Sequence, residues 1–177
     1  MSMQHIAVAM QRVESALRRR PGTAIQPDAP ATARWQGGMR VVSGHPNGTS
    51  LSTDLSANLG GTGDQVSPGW LMRAGLASCA ASSIVMSAAA AGIVLAVLEV
   101  VARSRSDTRG LLGMTYADGA RVDPAPCELE LIVRIGAPGV SEERLRALVE
   151  ESLRRSPVPC AIQGAVPIDL SIEFEAA

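Results

Sequence analysis

Cys79 is the residue of this protein that is best suited to covalent chemistry. It lies in a segment, Ala74 to Leu98, that has no charged residue. A thiolate is a nucleophile, and peroxides oxidise it to a sulfenic acid. The alternative is that Cys79 is a small packing residue, because a buried free cysteine often behaves as a hydrophobe.

Two further cysteines and two arginines are the other candidates for chemistry. Three widely spaced cysteines do not form a disulfide framework, and one must be unpaired, so a reducing cytosol is the expected compartment. Cys127 shares a predicted strand face with Leu129 and is expected in the core. Arg40 and Arg73 could activate a thiol; their alternatives are a solvated strand residue and an interface salt bridge.

The composition predicts a single domain, or one domain with an appendage, around an aliphatic core. The 177 residues are 46% hydrophobic but only 2% aromatic, with a formal net charge of -1. This charge and the scarcity of stacking side chains argue against nucleic-acid binding. No other candidate metal ligands lie near His5 or His45 in the sequence, which argues against a zinc site.

The N-terminal part predicts a helix and then a hairpin. Apolar residues recur at helical spacing over residues 5–20: Ile6, Met10, Val13 and Leu17. Pro21-Gly22 ends this helix, and residues 23–30 form a linker. In the hairpin that follows, Gly37-Gly38 is interpreted as a bulge and Asn47-Gly48 as a two-residue turn.

A long central helix is predicted over residues 67–91. Ser67 can cap it and Pro68 suits its first position. The uncharged run over residues 74–98 is long enough to span a bilayer, but it is rich in Ala, Ser and Gly and is interrupted by Gly92, so we expect a buried helix instead. It is apolar almost all round, which indicates that a second subunit covers part of it.

The C-terminal half predicts strands and a pair of helices. Alternating residues indicate strands at 96–103, 127–135 and 168–174, with a short strand at 114–117. Ser141 caps one helix and Ser156-Pro157 can start a second, short one. Together these elements predict an α+β fold with antiparallel sheet packed on helices.

Several short motifs resemble the OsmC/Ohr family of osmotically induced and organic-hydroperoxide-resistance proteins. The resemblance extends roughly over residues 33–174 and is carried by Gly60-Gly61, Ser67-Pro68, Leu71, Ala74, Cys79, Gly92-Ile93, Asp107-Thr108-Arg109-Gly110 and Ser156-Pro157-Val158. It implies an intertwined homodimer with two long helices in the middle and active sites at the interface. We therefore divide the chain into an N-terminal helix and linker, 1–30, and an OsmC-like domain, 31–177.

The resemblance also implies a chemistry that needs no metal or organic cofactor. In the family's enzymes a first cysteine attacks a small organic hydroperoxide and becomes a sulfenic acid. A second cysteine then closes a disulfide that a dithiol reductant reopens, and an arginine and a glutamate assist. Cys79 matches the first cysteine, whereas Gly69 stands at the glutamate position and Ser156 at the second cysteine. Cys160 follows four residues later. Arg40, one residue displaced from the family position, and Arg73 are the candidate arginines.

The leading hypothesis is a cytoplasmic, homodimeric thiol peroxidase that reduces organic hydroperoxides through Cys79. Cys160 would be its resolving thiol and Arg40 or Arg73 its activator. A rival hypothesis is a non-catalytic OsmC-like domain that binds a small apolar ligand or a partner at the dimer interface. A third is a one-cysteine peroxidase recycled by an external thiol. Gly69 and Ser156 favour the non-catalytic hypothesis.

Overall fold

The computed structural model describes residues 2–175 and contains five α-helices and five β-strands. In chain order they are α1 (Met3–Arg19), β1 (Thr32–Trp35), β2 (Val41–Gly44), β3 (Ser50–Thr53), α2 (Pro68–Ala90), β4 (Val97–Arg105), α3 (Thr108–Leu111), β5 (Cys127–Gly136), α4 (Glu142–Leu153) and α5 (Pro157–Gln163). The predicted α+β class, with its long central helix, is confirmed.

The strands form two antiparallel sheets, one on each side of α2 in the sequence. β2 is the middle strand of the sheet β1-β2-β3, and β4 pairs with β5 in the second sheet. The predicted bulge at Gly37 and Gly38 is wrong. These two residues form the turn between β1 and β2. Both have positive φ, and Arg40 N donates to the Gly37 carbonyl. The turn places Arg40 directly before β2.

Helix α2 is the central element, onto which α1, β4, α4 and α5 pack. The Ser67 hydroxyl accepts a hydrogen bond from Trp70 N, and Pro68 occupies the first turn, as predicted. One face is fully buried: Leu76, Ala80, Ile84 and Ala88. By length and composition alone this helix could cross a membrane. Its contacts with α1, β4, α4 and α5 are those of a core helix.

The opposite side of α2 has no covering element in the described chain. Gly75, Ser78, Ser82 and Met86, which we call the open face of α2, are exposed and uncharged. The chain as a whole exposes 13322 Å². A compact monomer of 18.4 kDa would expose about 8200 Å². The chain therefore exposes about 5000 Å² more than a compact monomer of its mass.

Three expectations for the C-terminal half are wrong. The predicted short strand at 114–117 is reduced to an isolated bridge between Thr115 and Arg121. Cys127 is exposed instead of buried in the core, because β5 has an irregularity there and Glu128 has a positive φ. The predicted strand at 168–174 is absent, since that segment pairs with no strand among residues 2–175 and its apolar side chains are exposed.

Candidate functional site

Cys79 lies where the middle of α2 meets the start of α5. Its Sγ is 3.3 Å from Ser156 Oγ, and Val158 N donates to it at 3.4 Å. Cys79 is partly buried, whereas Ser156 is 0% exposed. A hydroxyl and a main-chain N–H are both donors that stabilise negative charge on sulfur. The arrangement is therefore suited to holding a thiolate.

The Ser156 hydroxyl is turned toward this sulfur instead of capping its own helix. Ser67 and Ser141 stand at the corresponding positions of α2 and α4, and their hydroxyls accept main-chain N–H bonds. Ser156 makes no such bond, although it is the N-cap of α5. Because a buried hydroxyl needs a partner, the contact with Cys79 satisfies it. Ser156 is thus a specific neighbour of Cys79.

Arg40 is held by a network of acidic and hydroxyl groups. Its Nη2 donates to Asp54 Oδ2 at 3.2 Å, to Thr62 Oγ1 at 3.0 Å and to Asp64 Oδ1 at 2.5 Å. Asp54 is 2% exposed and also accepts hydrogen bonds from Thr62 and from Leu55 N. Arg40 Nε is buried and has no hydrogen-bond partner in the described chain. The network ties the loop after β3 to the start of β2.

The hydrogen bonds from Thr62 lower the pKa of Asp54 from 3.8 to about 2, with smaller contributions from Leu55 N and the Arg40 charge. The folded chain therefore binds this proton less readily than the unfolded chain. Stability from Asp54 is complete above about pH 5 and is lost as the pH falls toward 2. We expect Asp54→Asn to lower the melting temperature at pH 7 and to flatten its decline between pH 5 and 2.

Thermal unfolding followed by circular dichroism across this pH range measures both effects. Asp28→Asn, at an exposed aspartate in the linker, is the matched control and should leave the curve unchanged. A wild-type melting temperature that is constant between pH 5 and 2 would contradict the expectation.

Arg73 and Gly69 lie together in the first turns of α2. Arg73 Nη1 donates to Ser104 Oγ of β4 at 3.2 Å. A Cβ placed on Gly69 would be 3.7 Å from the same Nη1. A glutamate at position 69 would therefore stand one helical turn before this arginine, where an ion pair forms readily. In residues 2–175, neither Arg73 nor Arg40 hydrogen-bonds to Cys79.

In the described chain, neither of the other two cysteines hydrogen-bonds to Cys79. Cys160 is exposed, and its thiol donates to main-chain carbonyls at the end of α4: Arg154 O at 3.3 Å and Leu153 O at 3.8 Å. Cys127 is exposed at the first residue of β5. Of the residues selected from the sequence, the structure brings Ser156 and Cys79 together and leaves Cys160, Arg40 and Arg73 in separate contacts.

Comparison with known proteins identifies the family. The family model described as OsmC-like protein matches residues 61–171, which is more than half of the chain and contains α2 and Cys79. The chain belongs to the OsmC-like protein family. Among curated proteins, sequence comparison finds no match. The predicted resemblance is confirmed, and family membership is consistent with a role in hydroperoxide resistance.

Solved structures share this OsmC-like fold. The OsmC-like protein from Mycoplasma pneumoniae superimposes with a TM-score of 0.65 at 18% identity, covering 79% of this chain and 90% of its own. An organic hydroperoxide resistance protein from Elizabethkingia anophelis has a TM-score of 0.57 at 23% identity, covering 80% and 91%. An organic hydroperoxide resistance protein from Legionella pneumophila has a TM-score of 0.56 at 23% identity, covering 79% of this chain and 92% of its own. At these identities the likeness shows the fold alone.

The residues that anchor Arg40 were missed in the sequence. Asp54 and Thr62 belong to the end of the hairpin and the glycine-rich loop after it, which match no recognised binding motif. One signal was available, since Asp54 is the only acidic or basic residue between Arg40 and Asp64, apart from His45. A lone carboxylate between a hairpin and a glycine-rich loop needs a partner when it is buried.

Proposed function

We propose that this OsmC-like protein is a cytoplasmic homodimer that reduces organic hydroperoxides with the thiol of Cys79. The observation that carries the proposal is the pair of contacts on the Cys79 sulfur, from Ser156 Oγ at 3.3 Å and Val158 N at 3.4 Å. The main-chain N–H donates to the sulfur and the hydroxyl can donate to it as well, so both contacts support a thiolate, which is the nucleophile. Family membership supports the reaction class.

The proposed reaction is a two-electron oxidation of sulfur. The Cys79 thiolate attacks the terminal oxygen of the hydroperoxide, an S–O bond forms and the O–O bond breaks. The alkoxide leaves and takes a proton as the alcohol, and Cys79 becomes a sulfenic acid. The chemistry resides in the thiol, so the proposal includes no metal or organic cofactor.

Arg40 and Arg73 are the proposed sources of positive charge for this step. Arg40 has a buried Nε–H that is unused in the described chain, and its position is set by Asp54. Arg73 lies in the helix that carries Cys79, and it donates a hydrogen bond to Ser104 of β4. A guanidinium close to the reacting oxygens would stabilise the charge that develops on the leaving alkoxide.

The homodimer is proposed from surfaces that the chain leaves uncovered. The open face of α2 is exposed and uncharged. All four aromatic side chains of the chain are exposed as well: Trp35, Trp70, Tyr116 and Phe174. Aromatic residues are typical anchors of interfaces. The segment 168–174, with its alternating apolar residues, supports the pairing of that segment with a second copy.

Hydroperoxide consumption by the purified protein tests the proposed function. We expect the wild-type protein, supplied with dithiothreitol, to consume tert-butyl and cumene hydroperoxide faster than a buffer control. Hydrogen peroxide should be a poorer substrate, because Cys79 lies in an uncharged stretch of α2 and apolar surroundings favour an organic group. Rates equal to the buffer control for both organic substrates would contradict the proposal.

A second candidate function is binding of a small apolar ligand at the same place without catalysis. Gly69 stands at the glutamate position, which favours this second function. The ion pairs that Arg40 forms with Asp54 and Asp64 favour it as well. Under this hypothesis, the protein would bind an apolar fluorescent probe and would leave hydroperoxide concentrations unchanged.

A further inference from the structure

The partner of the Cys79 sulfur across the site is an alcohol. Ser156 Oγ lies 3.3 Å from the sulfur, and Ser156 is fully buried. An alcohol cannot form a disulfide, so an oxidised Cys79 has no thiol at the position that touches it. A thiol on this side chain would stand at a separation from which a disulfide can form with a small rotation.

Neither of the other thiols is placed to substitute for it. The Cys160 sulfur is directed at the carbonyls of Arg154 and Leu153, and its side chain is exposed. It lies in α5 one turn after Ser156, whose hydroxyl fills the space beside Cys79. Cys127 is exposed at the start of β5 next to Arg105, its strand partner.

We propose that Cys79 works without a second cysteine of the chain and is regenerated by a small thiol from solution. This inference rests on the proposed peroxidase function and specifies its reductant. The thiol is of low molecular weight, because Cys79 is partly buried between α2 and the start of α5. A folded protein would have to bring its own cysteine to a sulfur that two elements cover.

The recycling reaction balances with two equivalents of the external thiol. The first thiol attacks the sulfur of the Cys79 sulfenic acid, an S–S bond forms and the hydroxyl leaves as water. The second attacks the external sulfur of this mixed disulfide and releases Cys79 as a thiol. Two small thiols are thereby oxidised to one disulfide, and their two electrons reduce the hydroperoxide to one alcohol and one water.

The geometry is tested first, without hydroperoxide, by the variant Ser156→Cys. We expect diamide, a thiol oxidant, to form a disulfide between Cys79 and the thiol introduced at position 156, found by peptide mass spectrometry. The double variant Cys79→Ser with Ser156→Cys is the matched control and should form none. Absence of the bridge in the folded Ser156→Cys protein would overturn the inference, because the two side chains would then not be in contact.

The recycling is tested with the wild-type protein and with Cys160→Ser. One equivalent of tert-butyl hydroperoxide should leave Cys79 as a sulfenic acid, trapped by dimedone, with no intrachain or interchain disulfide on a non-reducing gel. Glutathione alone should sustain turnover, and Cys160→Ser should keep the wild-type rate within about twofold. A Cys79–Cys160 disulfide, or a loss of turnover above about tenfold in Cys160→Ser, would overturn the inference.

Failure of the proposed function has a different signature. In that case hydroperoxide would leave Cys79 unoxidised in every variant, while diamide would still bridge Cys79 to the thiol introduced by Ser156→Cys. This outcome would overturn the inference together with the peroxidase function. Turnover that a protein dithiol sustains and glutathione does not would overturn the inference alone.

Discussion

Cys79→Ser should reduce hydroperoxide consumption to the buffer rate, a loss of at least about a thousandfold. The substitution replaces one sulfur by oxygen and keeps the size of the side chain and its hydrogen-bonding ability. The contacts with Ser156 and Val158 can therefore persist. What is lost is the nucleophile, because a serine hydroxyl is barely ionised near neutral pH and is a far weaker nucleophile toward oxygen than a thiolate.

Initial rates with cumene hydroperoxide and dithiothreitol measure this effect. Cys127→Ser is the matched control, because Cys127 is exposed at the start of β5 and touches none of the proposed site residues. Thermal unfolding should show that both variants are folded. If Cys79→Ser consumed hydroperoxide as fast as Cys127→Ser, the activity would belong to another group.

Ser82→Arg should convert the proposed homodimer to a monomer. Ser82 lies in the middle of the open face of α2, which has no charge and no covering element in the described chain. If two copies pack there, the substitution buries an unpaired guanidinium at the centre of the interface. Removing such a charge from water costs several kcal/mol, enough to dissociate most dimers at micromolar concentration.

Light scattering coupled to size-exclusion chromatography measures the mass in solution. We expect the wild-type protein at twice 18.4 kDa and Ser82→Arg at the monomer mass, or aggregated through the exposed face. Ser15→Arg makes the same change on the exposed side of α1 and should remain a dimer. A wild-type protein that is monomeric at all concentrations would refute the proposed interface.

The exposed surface area of the chain supports the large effect expected for Ser82→Arg. The chain exposes 13322 Å², about 5000 Å² more than a compact monomer of its mass. Part of that excess belongs to the segment 168–174, which is extended and unpaired. A two-stranded sheet such as β4-β5 is also marginal without further strands. These features are the basis of the proposed homodimer.

Most of the elements of the fold could be predicted from the sequence, because their signals are local. Ser67-Pro68 marks the start of α2 and Ser141 the start of α4, and both caps are formed. Alternation over residues 96–103 predicted β4. The errors have local causes too: two adjacent glycines suit a turn as well as a bulge, and Glu128 at positive φ moves Cys127 out of the alternating pattern.

The segment 168–174 was mispredicted for a different reason. Its alternation of Ile168, Leu170 and Ile172 with polar residues is that of a strand, and its backbone is extended without a partner. Alternation reports which side chains need burial, and it does not say whether the neighbouring strand belongs to the same chain. A strand assignment there depends on a pairing that the isolated chain does not provide.

The sequence by itself determined that this is an α+β protein of the OsmC-like family with a thiol in a central helix that has Arg73 as its one charged residue. Capping residues, periodicity and family motifs are properties of short stretches, so they can be read without the fold. Only the tertiary structure decided that Ser156, and not Cys160, touches Cys79, and that Asp54 holds Arg40. The Cys79–Ser156 contact joins residues 77 positions apart. Such contacts depend on how α5 packs on α2, and no local propensity encodes that packing.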